Sequence, residues 1–522
     1  MLVAVFLSMG WLTLGIGPIF PSPDESANAF FAQTFAETGV LIASEPLNEF
    51  VGGIIHPRSM VAPGTSILPA SFLGFPILTG AMRYVFGTFG EFVFTPMLAI
   101  SAVIALWWVV KRYVKDELFA DLASLFLLTH PAFWYYGARV MMPNVAFVSL
   151  LILGVVCFVK ACDKKSMVFG LCAGLIVGLG LSTRLVEAPI LCVVAGIVLI
   201  RHYRSVSWRV LFGAIFGGLG ILVAYLAMNA DMYGSVMTTG YTIPAIALTP
   251  QEVSSTSIFT TIGHMVIPFG IHPKAMLVNA FWYGWWLFPL SSTLAVVGTG
   301  IAWRMKTHQK AWRTFVLCVV VASVWLIAVY GSWTIADNPD PKAITIGNSH
   351  VRYWLPLFAA SSVLVALLCV QWLREMLPVH RGLRRSPWSI GVMVGVLLLQ
   401  NWTAVFRGDD GLIAARAAAV VSEGKRDAVL EYTESDAVII VDRADKYFFP
   451  ARRVIVPLRD DSTYAAMPTL VQHVPLYYFG ITFPEIDLAY LNEEKLLLMG
   501  LSITPIVTID NETLYQISRI AL

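Results

Sequence analysis

The apolar positions of this chain fall in long, nearly unbroken runs that are separated by short polar segments. A helix needs about 20 apolar residues to span a hydrocarbon core of about 30 Å. Runs of this order lie at 2–20, 66–86, 91–110, 117–136, 145–161, 166–183, 186–200, 210–230, 278–302, 314–332, 352–373 and 387–405. The pattern predicts a mainly α protein, built as a polytopic transmembrane helical bundle.

The first run, 2–20, has two interpretations. A cleaved signal peptide would carry a positively charged region before the apolar stretch and a small-residue cleavage site after it. The run begins without such a region and is followed by Pro21-Ser22-Pro23-Asp24. We expect a retained membrane helix.

The run 66–86 is less regular, because it contains Pro69, Gly74, Pro76, Gly80 and Arg83. Lys and Arg accumulate in short cytoplasmic loops, which offers a test of whether it crosses the membrane. The basic clusters are Lys111/Arg112/Lys115, Lys160/Lys164/Lys165, Arg201/Arg204/Arg209, Arg304/Lys306/Lys310/Arg313 and Arg374/Arg381/Arg384/Arg385. All of them fall on the cytoplasmic side if the N-terminus is inside and every run except 66–86 crosses. We therefore predict about eleven spans, with 66–86 as a juxtamembrane or re-entrant helix.

This topology places the loops that hold Asp24, Arg139, Arg184, Lys274 and Arg352 on the outer side of the membrane. We expect a multi-pass protein of the cell membrane with a cytoplasmic N-terminus and an outer working face.

Composition agrees with this class. Of the 522 residues, 57% are hydrophobic and 13% charged, against roughly 45–50% and about 25% in soluble domains. The net charge of +2 gives no support to a nucleic-acid partner. All six cysteines lie in or beside apolar runs, which disfavours a disulfide framework.

The composition changes after Trp402, where apolar stretches become too short to cross a bilayer. We divide the chain into a membrane domain, 1–405, with a first outer loop at 21–65, and a soluble outer domain, 406–522. The outer domain is predicted to be a small α/β fold. Its expected elements are helices at 414–432, 464–473 and 486–500, strands at 437–441 and 453–458, and a hairpin of 503–509 with 513–518.

The first outer loop holds the acidic pair Asp24 and Glu25 at the start of a helix-like stretch that stops at Gly39. The pattern indicates an amphipathic helix along the membrane interface. N-terminal capping alone would explain one acid there. The functional interpretation is a general base at the boundary between the apolar core and water.

Three outer arginines have structural explanations of their own. Arg139 follows an aromatic run and suits an interface anchor, as does Arg352 at the head of a membrane helix. Arg184 and Glu187 have the spacing of a helix-end ion pair. Their common side favours a second role, because several arginines can bind a phosphate group.

The histidines His264, His272 and His350 lack metal-ligand spacing. We therefore predict no metal site and no required cofactor. The acids of the first loop leave a divalent metal open as an alternative.

Several motifs together resemble the C-type glycosyltransferase superfamily of integral membrane enzymes, in its branch of protein O-mannosyltransferases and aminoarabinose transferases. They are Pro23-Asp24-Glu25 with the helix after it, His56-Pro57-Arg58 with Pro63-Gly64, Tyr135-Tyr136-Gly137-Ala138-Arg139 with Asn144, and Arg352-Tyr353-Trp354-Leu355-Pro356. The resemblance extends over about 1–405. It departs at Asn144, where many relatives carry an acid, and in the 56–64 turn, which lacks the usual lysine and paired prolines.

The resemblance implies transfer of a sugar from a polyprenyl-phosphate donor to a hydroxyl acceptor, which is a protein, lipid or glycan, with inversion at the anomeric carbon. It implies Asp24 as the base, with Glu25 assisting or orienting. The implied substrate contacts are Arg58, Arg139, Asn144, Arg184, Arg352, Tyr353 and His56.

Two alternatives come from other classes. A transporter or flippase for a lipid-linked substrate would place ionisable residues inside the spans, whereas here they gather in the loops. A non-catalytic binder of such a substrate would tolerate loss of the Asp24 carboxylate.

Overall fold

The computed structural model describes residues 2–10, 19–242, 267–335, 337, 340, 342–376 and 388–520. Parts of the sequence predictions lie outside the described residues. They are positions 11–18 of the first run, His264, and Arg381, Arg384 and Arg385 of the last basic cluster.

The described chain is mainly helical. Its α-helices are Leu2–Gly10, Pro23–Thr38, Asn48–Val51, Gly74–Val114, Glu117–Thr129, Pro131–Ala138, Pro143–Lys164, Met167–Thr183, Ala188–His202, Trp208–Tyr233, Pro273–Asn279, Pro289–Arg304, Gln309–Gly331, Ser349–Tyr353, Leu355–Met376, Trp388–Phe406, Leu412–Glu431, Asp445–Phe448, Asp461–Leu470 and Glu485–Tyr490. Short 3₁₀ and π segments lie at Leu185–Glu187, Tyr203–Ser205, Ala280–Trp286, Leu491–Lys495 and Leu497–Met499.

Six helices of the described residues are long and apolar enough to cross a membrane: Gly74–Val114, Pro143–Lys164, Leu185–Ser205, Trp208–Tyr233, Gln309–Gly331 and Leu355–Leu373. The pair Pro273–Trp286 and Pro289–Arg304 adds a seventh if it is taken as one span, and its halves are bent by 102°. The predicted count of about eleven includes runs that form shorter or broken helices.

Prolines cause two of these breaks. The run 117–136 ends one helix at Thr129 and starts another at Pro131, with His130 extended between them. The run 278–302 breaks before Pro289, where Phe288 leaves the helical conformation. A proline disfavours the helical conformation in the residue before it, so both breaks follow from the sequence.

The run 66–86 was expected to form a juxtamembrane or re-entrant helix, and its first part is not helical. Residues Ser66–Pro69 form a strand, and the helix begins at Gly74. It continues through Gly87, whose φ of +64° interrupts the helical geometry. Arg83 forms an ion pair with Glu91 across this kink.

The chain forms two compact units. The first contains 1–12, 92–226 and 251–415, and the second contains 13–91, 227–250 and 416–522. In the first unit a cluster of large buried side chains fills the helical core, among them Phe133, Tyr135, Tyr136, Phe288 and Trp354.

The second unit contains both sheets. Its strands are β1 (Ala43–Ser44), β2 (Met60–Val61), β3 (Ser66–Pro69), β4 (Val438–Val441), β5 (Arg453–Ile455), β6 (Leu476–Ile481), β7 (Leu501–Ile509) and β8 (Glu512–Arg519). The larger sheet has the order β5-β4-β6-β8-β7. Strand β4 is parallel to β5 and β6, while β8 is antiparallel to β6 and β7.

The two faces of this sheet carry separate cores. Val438 and Ile440 of β4 join one core, and Ile439 and Val441 join the other, as the alternation of a strand requires. The first of these cores also contains Ile55, from the first outer loop. The loop and the C-terminal α/β fold are therefore packed together.

Candidate active site

The acidic pair stands in the first turn of the Pro23–Thr38 helix. Ser22 is the N-cap residue, and its hydroxyl accepts a hydrogen bond from the Asp24 N–H at 3.2 Å. Gly39 ends the helix with a φ of +78°, at the stop that the sequence predicts. Since Ser22 makes the cap, neither acid is needed as the N-cap residue.

Asp24 is half-buried and Glu25 is only 1% exposed. The Ser59 hydroxyl donates a hydrogen bond to Asp24 Oδ1 at 2.6 Å. Ser59 lies in the turn after His56-Pro57-Arg58, so two motifs of the first loop meet at the Asp24 carboxylate. A hydrogen-bond donor at this distance fixes the orientation of the carboxylate.

Arg58 is held by the C-terminal α/β fold. Its Nη2 lies 2.6 Å and its Nε 3.0 Å from Asp445 Oδ1, and its backbone N–H donates to Asp445 Oδ2 at 2.9 Å. The side chain of Asp445 is fully buried. This ion pair gives Arg58 a structural task, and its predicted contact with substrate stays a prediction.

His56 lies beside this pair. Its Nδ1 lies 2.8 Å from the carbonyl oxygen of Pro57. Burial lowers the pKa of the imidazole below its ordinary value of 6.5, against smaller opposing effects of Pro57 and Asp445. The ring is therefore neutral at pH 7.

In the first unit, Arg139 and Asn144 are both buried near a helix end. Arg139 ends the Pro131–Ala138 helix, is 6% exposed, and donates to the Tyr135 hydroxyl at 3.1 Å. Asn144 is 2% exposed, and its Nδ2 donates to the carbonyl of Arg352 at 3.1 Å. Asn144 Oδ1 is buried and has no hydrogen-bond partner among the residues that the structure describes.

The ring of Tyr353 brings two of the predicted arginines together. The guanidinium of Arg184 lies 4.8 Å from the ring centroid, and that of Arg352 lies 5.1 Å from it. Arg352 also donates to Met142 Sδ at 3.0 Å. Tyr353 stacks on Tyr330 with a centroid distance of 4.5 Å. We call Arg184, Arg352 and Tyr353 the arginine–tyrosine cluster.

Glu187 balances part of the positive charge. Arg184 Nε lies 2.8 Å from Glu187 Oε1, so the ion pair expected from the spacing is present. The Tyr330 hydroxyl donates to the same oxygen at 2.9 Å. Glu187 Oε2 is buried and has no hydrogen-bond partner among the described residues.

Four residues to which the sequence analysis gave no site role lie close to the predicted site residues. The Tyr330 hydroxyl accepts a hydrogen bond from Arg184, and Ser59 contacts Asp24. His350 lies in the same short helix as Arg352, and the Tyr136 hydroxyl donates to the carbonyl oxygen of Asn348. His350 stacks on Tyr283 at 4.9 Å, and burial lowers the pKa of its imidazole to about 4. The sequence pointed to His350 and Tyr136 without a site role, and it gave no signal for Tyr330 and Ser59 because single tyrosines and serines in a membrane protein are too common to signal a site.

The predicted residues thus form two sets. Asp24, Glu25, His56 and Arg58 belong to the second compact unit. Arg139, Asn144, Arg184, Arg352 and Tyr353 belong to the first. Among the described residues, no group of three or more His, Cys, Asp or Glu side chains has the geometry to hold a metal ion.

Comparison with known proteins gives two findings. Residues 74–229 match the family model described as dolichyl-phosphate-mannose-protein mannosyltransferase. The solved structure of ArnT from Cupriavidus metallidurans in the apo state is similar in fold, with a TM-score of 0.53 and 14% identity over 99% of this chain and 97% of that chain. A comparison with curated protein sequences gave no match.

These findings confirm the fold class that the sequence predicts, a mainly α, multi-pass membrane protein with a small C-terminal α/β domain. The match over residues 74–229 agrees with the part of the predicted resemblance that names mannosyltransferases.

Proposed function

We propose, on the premise that this chain is a membrane glycosyltransferase of the C-type superfamily, that it moves one sugar from a polyprenyl-phosphate carrier to a hydroxyl acceptor on the outer side of the membrane. The premise is supported by the matched family model and by the shared fold. The description of the matched family names a sugar that is linked to a lipid phosphate, dolichyl-phosphate-mannose. This supports the same class of donor for the present chain.

The observation that carries the proposal is the arginine–tyrosine cluster. Two guanidinium groups stand on one tyrosine ring, and the buried Arg139 belongs to the same compact unit. Arginines are kept this close to one another in an apolar bundle at an electrostatic cost. A phosphate group would offset that cost through charge-assisted hydrogen bonds.

We assign the phosphate of the donor to Arg139, Arg184 and Arg352. When the sugar leaves, the bond between the anomeric carbon and the phosphate oxygen breaks, and that oxygen keeps the electron pair. The arginines stabilise the negative charge that develops there. Because phosphate is a weakly basic leaving group, the step needs no general acid.

We assign the base to Asp24. It removes the proton of the acceptor hydroxyl while the acceptor oxygen forms the new bond to the anomeric carbon. A single displacement of this kind inverts the anomeric configuration. Ser59 orients the carboxylate through its hydrogen bond, and Glu25, the next residue of the same helical turn, assists or orients the base.

The test is sugar release from a panel of polyprenyl-phosphate sugars by the full-length protein in nanodiscs. The panel pairs hexose and pentose donors with protein, lipid and glycan acceptors. We expect one donor to turn over, Asp24→Asn to abolish transfer while donor binding remains, and Arg352→Met to lower kcat/KM by roughly 10²-fold, as for loss of one donor to a developing oxyanion.

The control is Arg407→Met, which alters an arginine outside both sets and should leave transfer unchanged. Donor binding without turnover across all acceptor classes, in wild type and Asp24→Asn alike, would contradict the proposal. That outcome would favour a transporter or a binding protein for the lipid-linked sugar.

A further inference from the structure

A cavity of about 290 Å³ lies within the second compact unit, between the first outer loop and the C-terminal α/β fold. Loop residues such as Phe30, Glu45 and His56 line one side of it. Phe449, Ala451 and Arg453 line the other. Its volume lies just below the range for small-molecule pockets, roughly 300–1,000 Å³, so it suits one small ligand.

The carboxylate that lines the cavity forms an ion pair. Glu45 is 7% exposed, and Arg453 Nε lies 2.8 Å from its Oε2. Leu47 donates its backbone N–H to Glu45 Oε1 at 3.2 Å. A paired carboxylate can still accept further hydrogen bonds, because each oxygen has two lone pairs.

Arg452 also lines the cavity, and its guanidinium group already forms hydrogen bonds with the protein backbone. Its guanidinium donates to the carbonyl oxygens of Leu430 and Thr433, at 3.2 and 2.7 Å. Those contacts tie it to the end of the Leu412–Glu431 helix. It is therefore held as a structural group and not as a receptor for an anion.

His56 supplies a neutral acceptor. Its Nδ1 faces a carbonyl oxygen at 2.8 Å and must carry the hydrogen, which leaves Nε2 as an acceptor in the neutral ring. Burial lowers the pKa of this imidazole, so the ring is uncharged at pH 7.

Two aromatic rings complete the cavity. Phe30 and Phe449 lie edge to face, with centroids 4.7 Å apart. Apolar ring surface beside a few fixed donors and acceptors suits a ligand that has both C–H faces and hydroxyl groups. The cavity suits an anion poorly, because the guanidinium groups of Arg452 and Arg453 already bind protein groups. It suits a purely apolar ligand poorly as well, because such a ligand could not form hydrogen bonds with Glu45 and His56.

We propose that this cavity binds one neutral, hydroxyl-rich sugar unit, with the Glu45–Arg453 pair and His56 contacting its hydroxyl groups and Phe30 and Phe449 contacting its ring. Binding of the sugar does not depend on the proposed transfer reaction. That the sugar belongs to a glycan acceptor rests on the proposed function.

The test uses the full-length protein in nanodiscs and a panel of methyl glycosides of hexoses, N-acetylhexosamines and pentoses, measured by saturation-transfer NMR and titration calorimetry. We expect one class to bind. Ala451→Trp, at an exposed position that lines the cavity, should weaken binding at least tenfold. Ala465→Trp is the matched control, because Ala465 is exposed on the Asp461–Leu470 helix and does not line the cavity.

A second variant, Ser435→Phe, tests the same cavity from another exposed lining position and guards against misfolding of the first. Thermal unfolding of each variant reports its folded state. No binding by any glycoside, equal binding by wild type and both cavity variants, or displacement by sodium acetate as strong as by the sugars would overturn the proposal.

Asp24→Asn separates the two proposals. If the transfer function fails but the cavity is correct, glycosides still bind and Ala451→Trp still blocks them. If the cavity is wrong but the transfer function is correct, donor turnover depends on Asp24 and is unchanged in Ala451→Trp with every acceptor.

Discussion

Ser59 holds a backbone conformation that most side chains avoid, with a φ of +63°, and its hydroxyl donates to Asp24. Glycine adopts this conformation without strain, so Ser59→Gly removes the hydroxyl and leaves the turn intact. A hydrogen bond to a charged group contributes about 1.5–3 kcal/mol. We expect Ser59→Gly to lower transfer by roughly 10- to 100-fold while the melting temperature is unchanged or higher.

Ser59→Asn is the matched control, because asparagine tolerates a positive φ and keeps a hydrogen-bond donor. It should retain more activity than Ser59→Gly. Equal activity of wild type and Ser59→Gly would remove Ser59 from the positioning of Asp24.

His350 predicts a pH dependence of stability. Burial lowers the pKa of its imidazole from an ordinary value of 6.5 to about 4 in the folded protein. As pH falls below about 6.5, the unfolded chain gains a proton that the folded chain does not, so stability is lost down to about pH 4. Between pH 7 and pH 4 this proton uptake lowers the free energy of unfolding by about 3 kcal/mol.

His350→Phe keeps a ring to stack on Tyr283 and removes the titrating group. Thermal unfolding between pH 7 and pH 4.5 should show a smaller loss of stability in this variant than in wild type. Parallel curves for the two proteins would contradict the shifted pKa.

Single residues were foreseen where a local spacing carried the signal. The Arg184–Glu187 pair follows from positions three apart in a helical turn. The contact of Ser59 with Asp24 spans 35 residues, and that of Arg184 with Tyr330 spans 146. No local sequence pattern marks Ser59 or Tyr330 as a contact residue, so the sequence could not predict these two contacts.

At the level of elements, Gly80 sets how closely two helices of the second unit pack. A Cβ atom at Gly80 would lie 2.8 Å from the carbonyl oxygen of Ala32 and 2.9 Å from the ring of Phe35. The helix that carries Asp24 would have to move. We expect Gly80→Ala to lower the free energy of unfolding by about 1–3 kcal/mol, as overpacking does.

Gly424 is the control in the same unit, since a Cβ there would meet no atom within 4 Å. Gly424 lies in the Leu412–Glu431 helix, so Gly424→Ala should stabilise by about 0.5–1 kcal/mol. Thermal unfolding of both variants checks the pair. A neutral Gly80→Ala would mean that the two helices pack less tightly than the structure indicates.

Most elements of the C-terminal fold were predicted within a few residues, because strands and helices alternate there with clear turn signals. Strand β6, Leu476–Ile481, was missed although it pairs with both β4 and β8. Its aromatic residues Tyr477, Tyr478 and Phe479 do favour a strand. Five of its six residues are buried, so the strand shows no alternation of apolar and polar positions. A short run without that alternation is hard to distinguish from a loop between two helices.

For the whole molecule, the predicted topology is the property that most needs a measurement. Single cysteines at Lys164 and Glu494, both exposed, should lie on opposite sides of the membrane. In a variant without the six native cysteines, an impermeant maleimide added to right-side-out vesicles should label Glu494→Cys and spare Lys164→Cys until the membrane is opened. Labelling of both before opening, or the reverse order, would refute the topology.

The sequence predicted the class of the whole molecule because long apolar runs and basic clusters are global signals. It did not predict that residues 21–65 pack with the C-terminal fold. Ile55 enters a core of β4, and Arg453 of β5 pairs with Glu45 of the loop. These contacts join segments about 400 residues apart. Neither segment has a local sequence pattern that identifies the other as its partner.

The Arg58–Asp445 pair has a consequence for biosynthesis. Its two members are 387 residues apart in the chain. At about 5–20 residues per second, a ribosome takes roughly 20 to 80 s to make the second after the first. During that interval the loop has Ile55 without its core and Arg58 without its carboxylate. The loop at 21–65 therefore completes its packing only after the segment that carries Asp445 has been made.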